Sequence, residues 1–317
     1  MTLRMSGERR AAVIGTGRMG HGIALELARG GFRVRLFDSV PEHVTNALEE
    51  ARNDAGDLVA AGVLRADEVD TVTNRLEPSG DLENAVSGAE FVVEAVAENL
   101  QVKRDVFAEL DRRCPPPTIL ASNTSSISIS EIARDCTHPE RAVLAHWVLP
   151  PHLIPVVEVA PGDSTDPRTV ETTCDLLQSI GKWPIRISRD IPGYILNRLQ
   201  FALVREAMHL VADGVTSVED IDNLVRGSLA RRWPSVGVFR QADMAGLDVY
   251  ERIFTYLAAD LNSSADPPPN LSSAVSSGHT GAREGHGFYD WKPGDLDSYL
   301  VRRNTDLVRM LREDRAG

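Results

Sequence analysis

The sequence predicts an α/β fold: a doubly wound sheet over residues 1–190 with antiparallel strands at one edge, then an all-α domain over residues 191–317. Three observations carry that prediction. Short β-branched runs alternate with helix-length segments through the first 190 residues, the pattern of a mostly parallel sheet covered by helices. A glycine-rich turn joins the first run to the first helical segment. Beyond "SRDIPGY" the strand runs stop, and apolar residues recur every three or four positions, as on an amphipathic helix.

Taken in order, the strands are "AAVIG" (11–15), "FRVRLFD" (32–38), "FVVEAV" (91–96), "TILAS" (118–122), "AVLAHWV" (142–148), "PVVEVA" (155–160) and "WPIRIS" (183–188). Helical segments at 18–30, 42–62 and 99–113 separate the early ones. The gap between 142–148 and 155–160 has no room for a crossover helix, so these two strands must pair antiparallel at the sheet edge. The domain boundary falls near Asp190-Ile191-Pro192-Gly193. After it, "YILNRLQFALVREAMHLVADG" is a helix stopped by Gly214, and "TSVEDIDNLVRGSL" opens with a Thr/Ser cap followed by acidic residues. The tail "DPPPNLSSAVSSGHTGAREGHGFYDW" is a loop-rich closure before a charged helix at 295–314.

The bulk properties bound the function classes. Apolar residues make up 42% and charged residues 25%, the profile of a soluble globular chain long enough for two domains. The net charge of −12 argues against nucleic acid or an anionic membrane as partner. No apolar run approaches the roughly 18 residues of a membrane span. "MTLRMSGERR" is not followed by the apolar core of a secretory leader. Cys114, Cys136 and Cys174 lie far apart and match no metal or redox spacing, which points to free thiols in a reducing, cytoplasmic compartment.

The glycine turn, "VIGTGRMGHGIALELARGGFRVRLFD", follows a strand and opens a helix. Gly15, Gly17 and Gly20 give G-x-G-x-x-G. The first makes the tight turn, the second admits a pyrophosphate close to the backbone, and the third lets helix and strand pack closely. The free N–H groups of the helix start then face the phosphates. Asp38 ends the second strand, 18 residues past Gly20. A carboxylate there accepts hydrogen bonds from ribose hydroxyls and repels a 2′-phosphate, and Ser39 follows with no arginine beside it. The expected cofactor is NAD rather than NADP, held by Gly15, Gly17, Arg18, Met19, Gly20 and Asp38. The plainer alternative is a glycine turn in an α/β domain without a ligand.

"GTGRMGHGIA", "VVEAVAENLQVKRDVFAELD", "ILASNTSSISISEIA", the segment from Ala142 to Gly162 and "IPGYILNRLQFALVREAMHLVADGVTSVEDID" occur in that order, and "GAREGHGFYDW" closes them. Together they resemble the L-3-hydroxyacyl-CoA dehydrogenase family over most of residues 11–291. "HLIPVVEV" and "ILNRLQ" are more similar to its lambda-crystallin and L-gulonate 3-dehydrogenase branch. The resemblance implies a Rossmann-type NAD domain and an all-α domain through which a homodimer forms. It implies that His146 is the general base, Glu158 orients it, and Ser125 and Asn197 contact the substrate oxygen. It further places Glu98, Lys103 and Asn123 near the cofactor ribose or nicotinamide.

The residues can carry those roles physically. Histidine titrates near pH 6.5 unperturbed. If the hairpin centres near His152, residues 146 and 158 lie opposite each other, with Cβ atoms about 4.5–5.5 Å apart. Each assignment has a plainer alternative: His146 as a satisfied core histidine, Ser125 and Asn123 as caps of a helix beginning near Ser128, Asn197 as a helix-terminal cap, Lys103 as a solvated helix charge.

Two departures from the family bear on the substrate. The position that usually carries asparagine after the catalytic histidine is Leu149, which removes an amide; His152, Arg231, Arg232 and Arg240 are candidates to replace it. Between Ser39 and Val102 there are fourteen Asp/Glu against three Lys/Arg, a stretch that repels coenzyme A phosphates unless it is simply a solvated face. The basic run "ARRWPSVGVFRQ" suits a carboxylate or phosphonate. The expected function is therefore oxidation of a small, anionic L-3-hydroxy acid, or reduction of the 3-oxo acid. The alternatives are a 3-hydroxyacyl-CoA or carrier-bound 3-hydroxyacyl dehydrogenase and a non-catalytic, crystallin-like NAD-binding protein.

Overall fold

The computed structural model describes residues 9–316. Residues 1–8, on which the expectation of no secretory leader partly rests, lie outside them. By contact the chain divides at Asn197/Arg198, and residues from Val301 onward return to the first unit. The changeover from strands to helices near Asp190 is thus followed by a few more residues of the first unit. The return has a visible cause. Asn304 Nδ2 donates to Asp57 Oδ2 at 3.3 Å, and Arg315 Nη1 donates to the Gly62 carbonyl at 3.0 Å.

One eight-stranded sheet runs through the first unit. Its strands are β1 (Arg10–Ile14), β2 (Arg33–Phe37), β3 (Leu76–Pro78), β4 (Phe91–Glu94), β5 (Ile119–Ser122), β6 (Ala142–Trp147), β7 (Val156–Pro161) and β8 (Trp183–Arg186). Their spatial order is β3-β2-β1-β4-β5-β6-β7-β8, and β1 to β6 are parallel. The helices are α1 (Gly20–Arg29), α2 (Pro41–Ala60), α3 (Val69–Thr73), α4 (Leu82–Val86), α5 (Leu100–Arg113), α6 (Ile129–Ile132), α7 (Pro167–Ser179), α8 (Leu196–Ala212), α9 (Val218–Leu224), α10 (Ala230–Ala245), α11 (Leu247–Leu257), α12 (Pro269–Ser276) and α13 (Asp295–Ala316).

Every expected strand forms. β3 is an addition, too short at three residues to show a two-residue period. β6 and β7 pair antiparallel with His146 opposite Glu158. They do not end the sheet, because β8 returns through α7 and adds parallel to β7. Apolar clusters cover both faces: Ile23, Phe32, Val93 and Trp147 lie in one, Val92, Phe107, Leu120 and Leu144 in the other. Two covered faces explain why the central strands read as nearly continuous apolar runs. Strand order reverses between β1 and β4, and in such sheets ligands bind beyond the carboxyl ends of the strands at that point.

The second unit holds α8 from Arg198 onward, α9 to α12 and the first turns of α13. Within α10, Pro234 and a left-handed Gly237 (φ 70°) break the regular helix. Among the described residues, no helix is long and apolar enough to cross a membrane.

Candidate active site

The glycine turn forms at the carboxyl end of β1. Gly15 has φ 92°, and a Cβ there would lie 2.6 Å from the Ala95 carbonyl carbon. A Cβ on Gly20 would lie 2.1 Å from the Gly15 carbonyl oxygen. Both positions exclude any larger residue. A Cβ on Gly17 would meet nothing within 4 Å, so the backbone is open there to an approaching group. α1 starts at Gly20 with neither a side-chain cap nor an acid in its first turn, which suits an anion. Arg18 is exposed, and Met19 packs against the core.

Asp38 sits where the sequence places it, at the end of β2. Its Oδ2 accepts from the Thr16 amide at 2.9 Å, and its Oδ1 from the Val40 amide at 3.0 Å. Burial works to raise its pKa, but these two amides and His43 outweigh it and hold the carboxyl below its ordinary value. The glycine turn and the end of β2 are thereby tied together.

His146 and Glu158 meet across the antiparallel pair. His146 Nδ1 lies 2.8 Å from Glu158 Oε2, and both residues are buried. A carboxylate at that distance fixes the proton on Nδ1 and leaves the Nε2 lone pair free to accept another. Among the described residues Nε2 has no hydrogen-bond partner. Glu158 Oε1 accepts from the Ile195 and Leu196 amides at 2.9 and 2.8 Å. Burial raises the Glu158 pKa, while the hydrogen bonds from His146, Leu196 and Ile195 lower it further than burial raises it. One carboxylate thus orients the imidazole and caps the start of α8.

Asn197 follows two residues after Ile195. Its Nδ2 donates to the Ser125 carbonyl at 2.6 Å. Ser125 lies past the carboxyl end of β5, where Glu98 Oε1 accepts from its amide at 3.0 Å and its hydroxyl at 3.2 Å. Asn123 Oδ1 accepts from the Trp147 amide at 2.8 Å, clamping β6 to β5 directly after His146. The Tyr194 ring lies 6.3 Å from that of His146, and its hydroxyl donates to the Ile127 carbonyl at 2.7 Å.

The plainer alternatives for four residues now have answers. Ser128, not Ser125 or Asn123, caps α6. Glu158, not Asn197, takes the first amides of α8. Lys103 is 1% exposed, so it is no solvated charge. His152 is buried between Asp54 (3.1 Å) and Asp57 (3.4 Å), so it does not replace the amide lost at Leu149. Leu149 itself is 38% exposed, an apolar side chain two residues past the buried strand β6. Most of the fourteen acidic residues between Ser39 and Val102 are exposed, as on a solvated face.

The sequence reading missed Glu94, Tyr194 and His21. Glu94 had a signal, a carboxylate inside the apolar run "FVVEAV"; Tyr194 and His21 had none. His21 joins the glycine turn to α2: its Nδ1 is 3.1 Å from the Gly17 carbonyl and its Nε2 3.2 Å from Asp54. Burial opposes its charged form, but the Asp54 hydrogen bond and the charges of Asp54 and Glu50 raise its pKa above 6.5. A raised folded pKa gives stability that is full below the unfolded value and lost as pH rises through the folded one. As pH rises above 6.5, the melting temperature of the wild type is expected to decline more steeply than that of His21→Gln. Equal slopes would refute the assignment.

Known proteins bear on this geometry. Residues 10–191 match the model of the 3-hydroxyacyl-CoA dehydrogenase NAD-binding domain, and residues 193–291 that of the 3-hydroxyacyl-CoA dehydrogenase C-terminal domain. The 5-formyl-3-hydroxy-2-methylpyridine 4-carboxylate 5-dehydrogenase of Mesorhizobium japonicum is 37% identical over 96% of this chain and 97% of its own. A lambda-crystallin homolog of Rattus norvegicus is 35% identical over 71% of each chain. A crystal structure of a 5-formyl-3-hydroxy-2-methylpyridine 4-carboxylic acid 5-dehydrogenase, described as an NAD⁺-dependent dismutase, superposes with a TM-score of 0.90 at 36% identity. That match covers 97% of this chain and 99% of the other. The glycine turn, the Asp38 strand end and the two matched domains agree: the chain belongs to the 3-hydroxyacyl-CoA dehydrogenase family of NAD-dependent oxidoreductases.

Proposed function

We propose that this enzyme oxidises the hydroxyl of a small free L-3-hydroxy acid, or reduces the matching 3-oxo acid, with His146 as the general base. The observation that carries the reading is the His146–Glu158 pair, whose Nε2 is left free to take a proton. The bound nicotinamide supplies the hydride acceptor. Gly15, Gly17, Arg18, Met19, Gly20 and Asp38 would hold the cofactor, with Glu98, Lys103 and Asn123 around its ribose or nicotinamide. His146 removes the hydroxyl proton, Glu158 stabilises the imidazolium that results, and Ser125 and Asn197 polarise the substrate oxygen.

A free acid is favoured over a thioester by one feature, since the acidic stretch between Ser39 and Val102 reads as a solvated face and carries no preference. The relative with 97% of its length matched is named for a pyridine carboxylate. The second reading, a 3-hydroxyacyl-CoA substrate, is favoured by the family models and by relatives named for CoA substrates. A panel of 3-hydroxy acids, hydroxymethyl or formyl aryl carboxylates, phosphonates and 3-hydroxyacyl-CoA thioesters, followed by NADH absorbance, separates the two. A thioester strongly preferred over its free acid would overturn the proposal.

The helical unit carries exposed Phe239 (87%) and Tyr256 (80%) among other apolar side chains, more than suits a free surface. They support a homodimer formed through that unit. A concentration-independent monomer in sedimentation would refute it.

Cofactor choice has its own test. Asp38→Ser keeps a hydrogen-bonding group and removes the negative charge. NADH affinity is expected to fall about tenfold while NADPH, no longer repelled, gains. Fluorescence titration with both cofactors reads the change, and an unaltered preference would refute the role of Asp38.

A further inference from the structure

Behind Ser125 lies a chain of charges, buried at Glu94 and Lys103 and exposed at Glu98, whose inner end, Glu94, has no part in the reaction as described so far. Glu94, the last residue of β4, is fully buried. Its Oε1 accepts from Lys103 Nζ and the Val96 amide, both at 2.8 Å, and its Oε2 from the Ser122 hydroxyl at 2.6 Å. Lys103 also reaches Glu98 Oε2 at 3.3 Å. Glu98 Oε1 in turn receives five donors: the Thr124 hydroxyl at 2.7 Å, the Ser125 amide at 3.0 Å and hydroxyl at 3.2 Å, and the Ser126 amide at 3.1 Å and hydroxyl at 3.0 Å.

A desolvated lysine with one carboxylate partner would let the other swing; with two it is pinned. Glu94 comes from a rigid central strand and fixes Lys103 on α5. Lys103 fixes one oxygen of Glu98, and the other oxygen gathers the Thr124-Ser125-Ser126 turn. One carboxylate oxygen cannot serve five donors equally. The Ser125 hydroxyl is the longest of them, so it is the donor most readily released to a substrate oxygen.

We infer that Glu94 is a positioning residue: through Lys103 and Glu98 it holds the Ser125 turn so that the Ser125 hydroxyl is aimed at the substrate oxygen but weakly bound. The inference rests on the reading of Ser125 as a substrate contact.

The test is Glu94→Gln, which keeps shape and removes the charge that pins Lys103. Amide hydrogen exchange of the 124–126 segment is expected to quicken at least tenfold, whatever the enzyme turns over. With the preferred substrate, kcat is expected to fall about ten- to a hundredfold, the scale of a small misplacement at a reacting centre. In a Ser125→Ala background the same substitution is expected to change kcat little, because it acts through the missing hydroxyl. A merely structural role would give equal losses in both backgrounds, and that result would overturn the inference, as would unchanged exchange. Should Glu94→Gln not fold, Ser122→Ala loosens the same carboxylate and is held to the same non-additivity. A wild type without turnover on any substrate sinks the proposed reaction and leaves the exchange result standing on its own.

Discussion

His146→Gln is expected to bind NADH as the wild type does and to lose about 10²–10⁴-fold in kcat, the usual contribution of a positioned general base. Glutamine preserves the bulk of the side chain and can still donate to Glu158, so the β6–β7 pair should stand. It cannot carry a proton away. NADH fluorescence titrations that match the wild type's separate this loss from a structural one. A variant within tenfold of the wild type would mean that another group takes the proton.

How much of this was legible in advance depends on how local each feature is. The glycine turn is a short-range motif whose every residue answers a steric need, and Gly15 and Gly20 meet the clashes that motif implies. The His146–Glu158 pairing was legible because the connection is too short for a crossover helix, so the two strands pair antiparallel about residue 152. Features set by distant segments were not. β8 closes the sheet edge because α7 carries the chain back, and no pattern in "WPIRIS" says which strand it will join. The burial of Lys103 depends on Glu94 and Glu98 arriving from other elements; from its own helix it reads as a surface charge. The role offered to His152 failed for the same reason, since its two aspartates lie on α2, about a hundred residues earlier.

Glu158→Gln should be nearly as damaging to turnover as loss of the base, for a reason that lies in a single proton. The amide oxygen of glutamine can go on accepting from the Ile195 and Leu196 amides, as Glu158 Oε1 does. The amide nitrogen then faces His146 Nδ1 as a donor. Nδ1 must become the acceptor, and the imidazole proton moves to Nε2, the atom that has to be empty. A wrong tautomer held in the right place costs on the order of 10⁴-fold in a comparable triad, and a loss of about 10²–10⁴-fold is expected. Folding stability should change less, because packing and the α8 amides are kept. Glu158→Ala removes both functions and leaves the two α8 amides without their acceptor, so it should destabilise the fold more than Glu158→Gln does. The acid limb supplies the check. A carboxyl held below its ordinary pKa gives stability that is present above the unfolded value and lost as pH falls through the folded one. The stability gap between wild type and Glu158→Gln, measured by denaturant unfolding, should therefore close as pH falls below the ordinary carboxylate range. A gap that persists undiminished in acid would show that the charge of Glu158 is not what stabilises the fold.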